Sequence, residues 1–180
     1  EGWYYAKADG SFADGWQYIN GYWYYLEGAN KEYPYLMMEN TRKTIDDKDY
    51  YFTKSGAMKK NCWILESEGW YYALNSGALA NGWDFINGAW YFFDGDNTEY
   101  PYLMISDCKK EINGAEYFFD GNGVMRIGWI SEPEGWYYAD GSGAQAIGWR
   151  YINGVWYYLD GNDTEHPGLM VDNCVKNIGG

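Results

Sequence analysis

Along most of this chain apolar and polar side chains alternate with a period of two, in short runs broken by glycine, asparagine or aspartate. Trp16-Gln17-Tyr18-Ile19 is followed by Asn20-Gly21 and then by Tyr22-Trp23-Tyr24-Tyr25-Leu26, and the same shape returns around Asn87-Gly88 and Asn153-Gly154. Short runs rich in aromatic and β-branched residues read as strands. Two of them separated by Asn-Gly read as a hairpin, because a type I′ turn needs positive φ at both central residues. In that register Ile19 faces Tyr22, Tyr18 faces Trp23 and Trp16 faces Tyr25. Alternation then sets Trp16, Tyr18, Trp23 and Tyr25 on one face and Ile19, Tyr24 and Leu26 on the other, where Ile86, Tyr91 and Phe93 fall in a later unit. Both faces are apolar, which predicts that neighbouring hairpins cover both. A second turn type is expected at Pro133-Glu134-Gly135, where a type I turn followed by a left-handed glycine gives a three-residue loop with a bulge.

All eleven tryptophans occupy two slots of this unit. Trp16, Trp63, Trp83, Trp129 and Trp149 open a strand, whereas Trp3, Trp23, Trp70, Trp90, Trp136 and Trp156 begin an aromatic run. Wherever both slots are filled they lie seven residues apart, which makes the two indoles diagonal neighbours on one hairpin face. With the second slot as a marker, Trp3, Trp23, Asp49, Trp70, Trp90, Glu116, Trp136 and Trp156 define eight repeats of 20–26 residues. A longer period is superimposed, since EGWYYA begins at Glu1, Glu68 and Glu134 and INGxW at Ile19, Ile86 and Ile152. Three units thus make one super-repeat, and the chain divides at about 1–67, 68–133 and 134–180. A unit this short cannot bury its own apolar surface, and a lone hairpin is marginal. The predicted fold is therefore all-β, an elongated solenoid of stacked hairpins, with about three per turn inferred from the 66-residue period.

Composition narrows the partner. The net charge of −13 repels nucleic acid and anionic membrane surfaces, and no apolar stretch is long enough to span a bilayer. A cationic or neutral ligand fits better. Cys62, Cys108 and Cys174 each stand where sibling units have the glycine before the strand-opening tryptophan, so they read as free thiols packed as small side chains. The chain begins in mid-pattern and ends on a sequence that opens another unit. It reads as one repeat module, 1–180, cut from something longer.

The third unit of each super-repeat departs from the pattern. Arg42 and Asp49, and likewise Lys109 and Glu116, replace the tryptophan pair with opposite charges. Salt bridges of about 0 to 1 kcal/mol are expected there if exposed, which makes these hairpins spacers. Alternatively, the carboxylate of Asp49 or Glu116 completes the preceding cleft and favours a cation. The units before them carry extensions, YPYLM at Tyr33 and Tyr100 and HPGLM at His166. Proline argues against a central strand, so these are expected to be loops whose leucine and methionine return to the core. His166 reads as a surface residue. The acidic stretches near Gly95 to Glu99 and Gly161 to Glu165 lack the ligand spacing of a calcium loop and read as turns. No metal or cofactor is expected.

The segments GWQYINGYWYYLEG from Gly15, GWDFINGAWYFFDG and GWRYINGVWYYLDG resemble the cell-wall-binding repeat family known as choline-binding repeats. A weaker similarity, around INGAEYFFDGNGVMRIGW, is to the glucan-binding repeats of streptococcal glucosyltransferases and the repetitive domains of large clostridial toxins. The resemblance implies a left-handed β-solenoid with ligands in clefts between consecutive hairpins. It also implies the surface or secretome of a Gram-positive bacterium, and a partner polymer such as choline-bearing teichoic acid or glucan. In that family a cleft is walled by the strand-opening tryptophan, an aromatic of the same hairpin, another from the next hairpin and often a methionine. Carried over, the walls are the pairs Trp16 with Trp23, Trp63 with Trp70, Trp83 with Trp90, Trp129 with Trp136 and Trp149 with Trp156. The methionine slot before each strand-opening tryptophan holds Phe12, Met58, Leu79, Met125 and Gln145, so Met58 and Met125 match the family pattern.

The residues support the same chemistry independently. A quaternary ammonium group has no donor to satisfy and is drawn to the negative faces of several rings at about 0.5 to 2 kcal/mol per ring. Flat indoles also stack on sugars. The alternative is that the tryptophans are only the core between hairpins, although a purely structural core would use leucine, isoleucine and valine more freely. No acid-base pair, nucleophile with histidine, or phosphate-cradling loop stands out, and catalysis is not expected. Three functions compete: an attachment module for choline or a related wall polymer, a glucan-binding module, and a spacer with no small-molecule ligand.

Overall fold

The structure, a computed structural model that describes residues 2–172, consists of hairpins throughout, with no helix among the described residues. In the first super-repeat are β1 (Gly15–Ile19), β2 (Tyr22–Glu27), β3 (Leu36–Met37), β4 (Thr41–Ile45), β5 (Lys48–Phe52), β6 (Cys62–Glu66) and β7 (Gly69–Ala73), the last hairpin running into the second. There follow β8 (Gly82–Ile86), β9 (Ala89–Asp94), β10 (Leu103–Met104), β11 (Cys108–Ile112) and β12 (Ala115–Phe119). The chain continues through β13 (Gly128–Glu132), β14 (Gly135–Ala139), β15 (Gly148–Ile152), β16 (Val155–Asp160) and β17 (Leu169–Met170). The sheets are β1-β2-β3, β4-β5, β6-β7, β8-β9-β10, β11-β12, β13-β14 and β15-β16-β17. Ahead of β1 a shorter turn is closed by a bridge between Ala6 and Phe12.

The turns follow their residues. Asn20 and Gly21 have φ of 50° and 90°, and Asn87-Gly88, Asn113-Gly114 and Asn153-Gly154 repeat those values closely. The pairing of β1 with β2 opposes Trp16 to Tyr25, Tyr18 to Trp23 and Ile19 to Tyr22, as the alternation predicts. The other turn differs from expectation. Glu132 pairs with Gly135, which leaves Pro133-Glu134 as a two-residue loop instead of a three-residue one, with Gly135 at φ 143° just beyond it. The tripeptide does not set the register by itself, because the strand pairing continues through the glycine.

In the extensions the leucine and methionine do return, and they form short third strands on β2, β9 and β16. Pro34-Tyr35, Pro101-Tyr102 and Pro167-Gly168 make the return, with positive φ of 65°, 68° and 84° at the residue after proline, the geometry of a type II turn. Asn97 Oδ1 accepts from the Glu99 and Tyr100 amides, and Asp163 Oδ1 from those of Glu165 and His166, so these acidic stretches are organised as turns. His166 is half-buried, its Nδ1 4.0 Å from Glu134 Oε1.

Of the described residues, 2–82 and 93–104 make one compact unit and 83–92 and 105–172 the other. Inside each, consecutive hairpins stack. In the first unit Ile45, Phe52 and Met58 form a cluster against which Trp16, Tyr25 and Tyr50 pack. Another gathers Tyr51, Ile64, Tyr71, Ala73 and Leu79 under Leu103. In the second, Phe118, Ile130, Tyr137 and Ala139 pack under Leu169. Backbone hydrogen bonds fix the stacking, with the amides of Met58 and Leu79 donating to the carbonyls of Trp23 and Asp49, and those of Met125 and Gln145 to Trp90 and Glu116.

The expectation that both hairpin faces are covered is corrected. The face of Ile64, Tyr71, Ile130 and Tyr137 is buried, whereas Trp23, Trp70, Trp90 and Trp136 on the opposite face stay 40 to 46% exposed. The next hairpin reaches the first-slot indole and stops short of the second, so one edge of each tryptophan pair stays open to solvent.

Cys62 and Cys108 are free thiols, and Cys174 lies outside the described residues. Siblings open the strand on a glycine at φ near 75°, as at Gly15 and Gly128, whereas these cysteines open it without a positive φ and the preceding Asn61 and Asp107 take one. Asparagine and aspartate tolerate the left-handed region. The cysteine is thereby relieved of it.

Candidate functional site: the aromatic clefts

Each tryptophan pair has nearly one geometry. The two ring centroids lie 6.3 to 6.4 Å apart at 84° to 88° in all five hairpins, an edge-to-face corner set by the diagonal register. The strand-opening indole is wedged further by the residue opposite it: Tyr25 at 5.2 Å from Trp16, Phe92 at 5.2 Å from Trp83 and Tyr138 at 5.1 Å from Trp129. A ring from the next hairpin closes the far side. Tyr50 stands 4.8 Å from Trp16, Tyr117 4.8 Å from Trp83 and Tyr157 4.7 Å from Trp129. Trp63 has Phe93 at 6.0 Å, in the place that Phe52 takes beside Trp16 and Phe119 beside Trp83. Trp149 is 53% exposed and has only its own hairpin's Trp156 and Tyr158 beside it among the described ring contacts.

The third-wall tyrosines were not singled out from the sequence. Their signal was present, because a tyrosine follows the second slot directly at Tyr24, Tyr50, Tyr71, Tyr91, Tyr117, Tyr137 and Tyr157. Alternation puts that position on the opposite face from the slot before it, which is the face turned toward the preceding hairpin.

The methionines occupy a different place from the one the sequence pattern indicates. Met58 is buried and belongs with Phe52 beneath Trp16, the tryptophan of the preceding pair, not the one it precedes in sequence. Its sulfur lies where a Cβ on Gly77 would be, and Met125 lies likewise over Gly143. They support the cleft floor by packing against a bare glycine backbone.

Carboxylates lie near the rings of the first cleft. Burial first, and then Glu27, Asp14 and Asp46, push the Tyr25 hydroxyl above the usual tyrosine range, and burial and Asp46 do the same for Tyr50. These phenols stay neutral, and the nearby carboxylates favour a cation.

The charged hairpins hold a cation of their own. Arg42 Nε donates to Asp49 Oδ2 at 2.7 Å, and another guanidinium nitrogen donates to the Pro101 carbonyl at 2.9 Å. The guanidinium also lies 5.2 to 5.9 Å from the rings of Tyr51, Tyr71 and Tyr102. It stands where Trp16 and its counterparts stand, between a same-hairpin ring and a next-hairpin ring. The bridge expected between Lys109 and Glu116 is absent from the ion pairs of the described residues, and Lys109 instead sets its ammonium over Phe118 and Tyr137 at 5.5 and 5.3 Å. An ammonium is a compact point charge with no plane to stack, whereas the guanidinium fork binds a carboxylate and offers its plane to rings at once. The alternative in which Asp49 completes the preceding cleft is disfavoured, since its two oxygens accept from Arg42 and Thr44. Beside Arg42 lies a cavity of about 570 Å³ lined by polar side chains such as Thr53, Lys59 and Glu66. A more apolar cavity of about 480 Å³, lined by Trp3, Tyr24 and Leu26, opens on the back face of β1 and β2. That face is a stacking surface in later hairpins, so it is assigned to packing.

Stacked hairpins that repeat an aromatic corner, four of the five meeting a ring from the next hairpin, define a class of β-hairpin repeat proteins. The model of the cell wall binding repeat matches residues 14–30, 43–58, 63–79, 81–96, 110–125, 127–144 and 147–162, and the chain belongs to this choline-binding repeat family. Among solved structures it is similar to CbpJ from Streptococcus pneumoniae TIGR4, with 30% identity and a TM-score of 0.76 over 86% of this chain and 53% of that one. It is also similar to choline binding protein F from Streptococcus pneumoniae in the presence of a peptidoglycan analogue, a tetrasaccharide-pentapeptide. There the identity is 28% and the TM-score 0.79, over 96% of this chain and 57% of that one. The chain spans just over half the length of each. Curated protein sequences give no match.

Proposed function

We propose that this chain is a non-catalytic attachment module that binds choline, or a wall polymer bearing it such as teichoic acid, in its aromatic clefts. The module holds a secreted or surface protein to the wall of a Gram-positive bacterium. One observation carries the reading: five tryptophan pairs keep the same edge-to-face corner while one indole of each stays substantially exposed. A core needs neither the constancy nor the exposure, whereas a trimethylammonium group needs several ring faces converging on an accessible point. The acidic surroundings add attraction for a cation. The relatives named above, one crystallised with a peptidoglycan analogue, support a wall ligand. The proposed ligand residues are the five tryptophan pairs, with Tyr50, Tyr117 and Tyr157 as third walls and Met58 and Met125 as support.

Retention on an immobilised quaternary amine, with release by free choline, is the expected result. Retention on dextran that choline does not displace would favour the glucan-binding reading. Passage through both resins would leave the spacer.

A further inference from the structure

Among the hairpins with a tryptophan pair, one position separates the three that turn on Asn-Gly from the other two; the charged Asn113-Gly114 hairpin has Glu111 opposite Glu116 there. Opposite the second-slot tryptophan on the paired strand stands another ring: Tyr18 by Trp23, Phe85 by Trp90 and Tyr151 by Trp156. The centroids are 5.2 Å apart in all three pairs, with the planes inclined by 43° to 52°. Tyr18, Phe85 and Tyr151 are 61, 56 and 62% exposed. The two other hairpins with a tryptophan pair have Leu65 and Ser131 opposite Trp70 and Trp136. The ring is therefore a feature of one hairpin type, repeated at each super-repeat, and strand formation does not require it.

We propose that each of the three Asn-Gly hairpins with a tryptophan pair carries a second subsite, in which Tyr18, Phe85 or Tyr151 together with its tryptophan stacks the pyranose ring of a sugar whose quaternary ammonium substituent sits in the adjoining cleft. This inference rests on the cleft reading above. The second-slot tryptophan belongs to both places, since its ring lies 6.3 to 6.4 Å from the first-slot indole and 5.2 Å from the added ring, so one ligand can touch both. A pyranose presents an uncharged face of C–H bonds, which suits exposed π-faces in a chain of net charge −13. A two-ring platform matches one sugar. It falls far below the roughly 1,000 Å² that a stable protein partner needs.

Calorimetric titration of the full chain with choline and with choline β-glucoside tests the proposal. The glucoside should bind about three- to tenfold more tightly than choline, the range expected for one added stacking contact. The triple variant Tyr18→Ser, Phe85→Ser, Tyr151→Ser should bind choline as before and lose the advantage of the glucoside. Leu65→Tyr, which adds a ring at a position already 61% exposed and so does not disturb the core, should extend the advantage to one more site. Equal affinities for the two ligands in the unaltered chain, or a glucoside advantage that survives the triple serine variant, would overturn the subsite while leaving choline binding intact. Failure of choline itself to bind would overturn the cleft reading, and this subsite with it.

Discussion

Single residues in this chain act through what they leave out as much as through what they add. Gly77, at φ 88°, has the Met58 side chain where its Cβ would be, whereas Gly88, at φ 90°, has nothing within 4 Å. Gly88→Ala should therefore cost about 1 kcal/mol from the left-handed backbone alone, and Gly77→Ala about 1 to 3 kcal/mol more from the displaced methionine. Urea denaturation of the two variants separates the terms, and equal costs would show that Met58 moves aside freely. The tyrosines at the floor of the stack set a second condition. Tyr71 and Tyr137 are buried and donate to Glu68 and Glu134 at 2.7 Å. Burial first, and then the bonded carboxylate, raise both hydroxyls well above the usual tyrosine value. A folded-state pKa raised this way contributes stability that is complete below the unfolded value, about 10, and is lost as pH climbs past it toward the folded value. Melting temperature should fall on going from pH 9 to pH 11, and Tyr71→Phe with Tyr137→Phe should flatten that slope.

At the scale of the hairpin, the charged units are where sequence and structure diverge most. Treated as an exposed ion pair, Arg42 with Asp49 would contribute little. The two side chains are in fact only 24 and 13% exposed, and Arg42 also ties the Pro101 carbonyl and three tyrosine rings. Arg42→Ala should cost about 1 to 3 kcal/mol, because Asp49 and the Pro101 carbonyl lose their donor in a partly buried place. Lys109→Ala should cost less, about 1 kcal/mol, the loss of cation–π contact with two rings and of no hydrogen bond. Thermal melts of the two variants decide it, and equal destabilisation would refute the distinction. Tyr102, at φ 68° where the equivalent residue is Gly168, lays its ring against the guanidinium, as Tyr35, at φ 65° in the same place, stacks on Phe12. The hairpins, the register at the Asn-Gly turns and the tryptophan corner were legible in the sequence because they depend on alternation and on Asn-Gly turns, which are local, whereas the register at Pro133-Glu134-Gly135 was not. The third wall, the place of Met58 and the partners of Arg42 were not. They depend on which residue of one hairpin meets which residue of the next, and a repeat period fixes that meeting only once the stacking offset is known.

At the scale of the whole chain, repetition turns binding into a count. If the tryptophan pairs hold the ligand, intrinsic fluorescence reports every site, since each contains an indole. The net charge of −13 should make the affinity for a cation fall as salt rises. Each occupied site also stabilises the fold by RT ln(1 + [L]/Kd), about 2.7 kcal/mol at a hundredfold excess over Kd. Trp90 is the position at which to break one site cleanly, because it is 44% exposed while Trp83 is clamped by Tyr117 and Phe119. Trp90→Ala should cost about 1 to 2 kcal/mol, well under the 3 to 5 kcal/mol typical of a fully buried tryptophan. It should lower the number of choline sites by one and shrink the ligand-induced rise in melting temperature accordingly. Arg42→Ala and Lys109→Ala should leave the number of sites unchanged whatever they do to stability. Should a folded Trp90→Ala chain bind as many equivalents as the unaltered one while the Arg42 or Lys109 variants lose sites, the charged hairpins would be the binding units and the aromatic corners merely their packing.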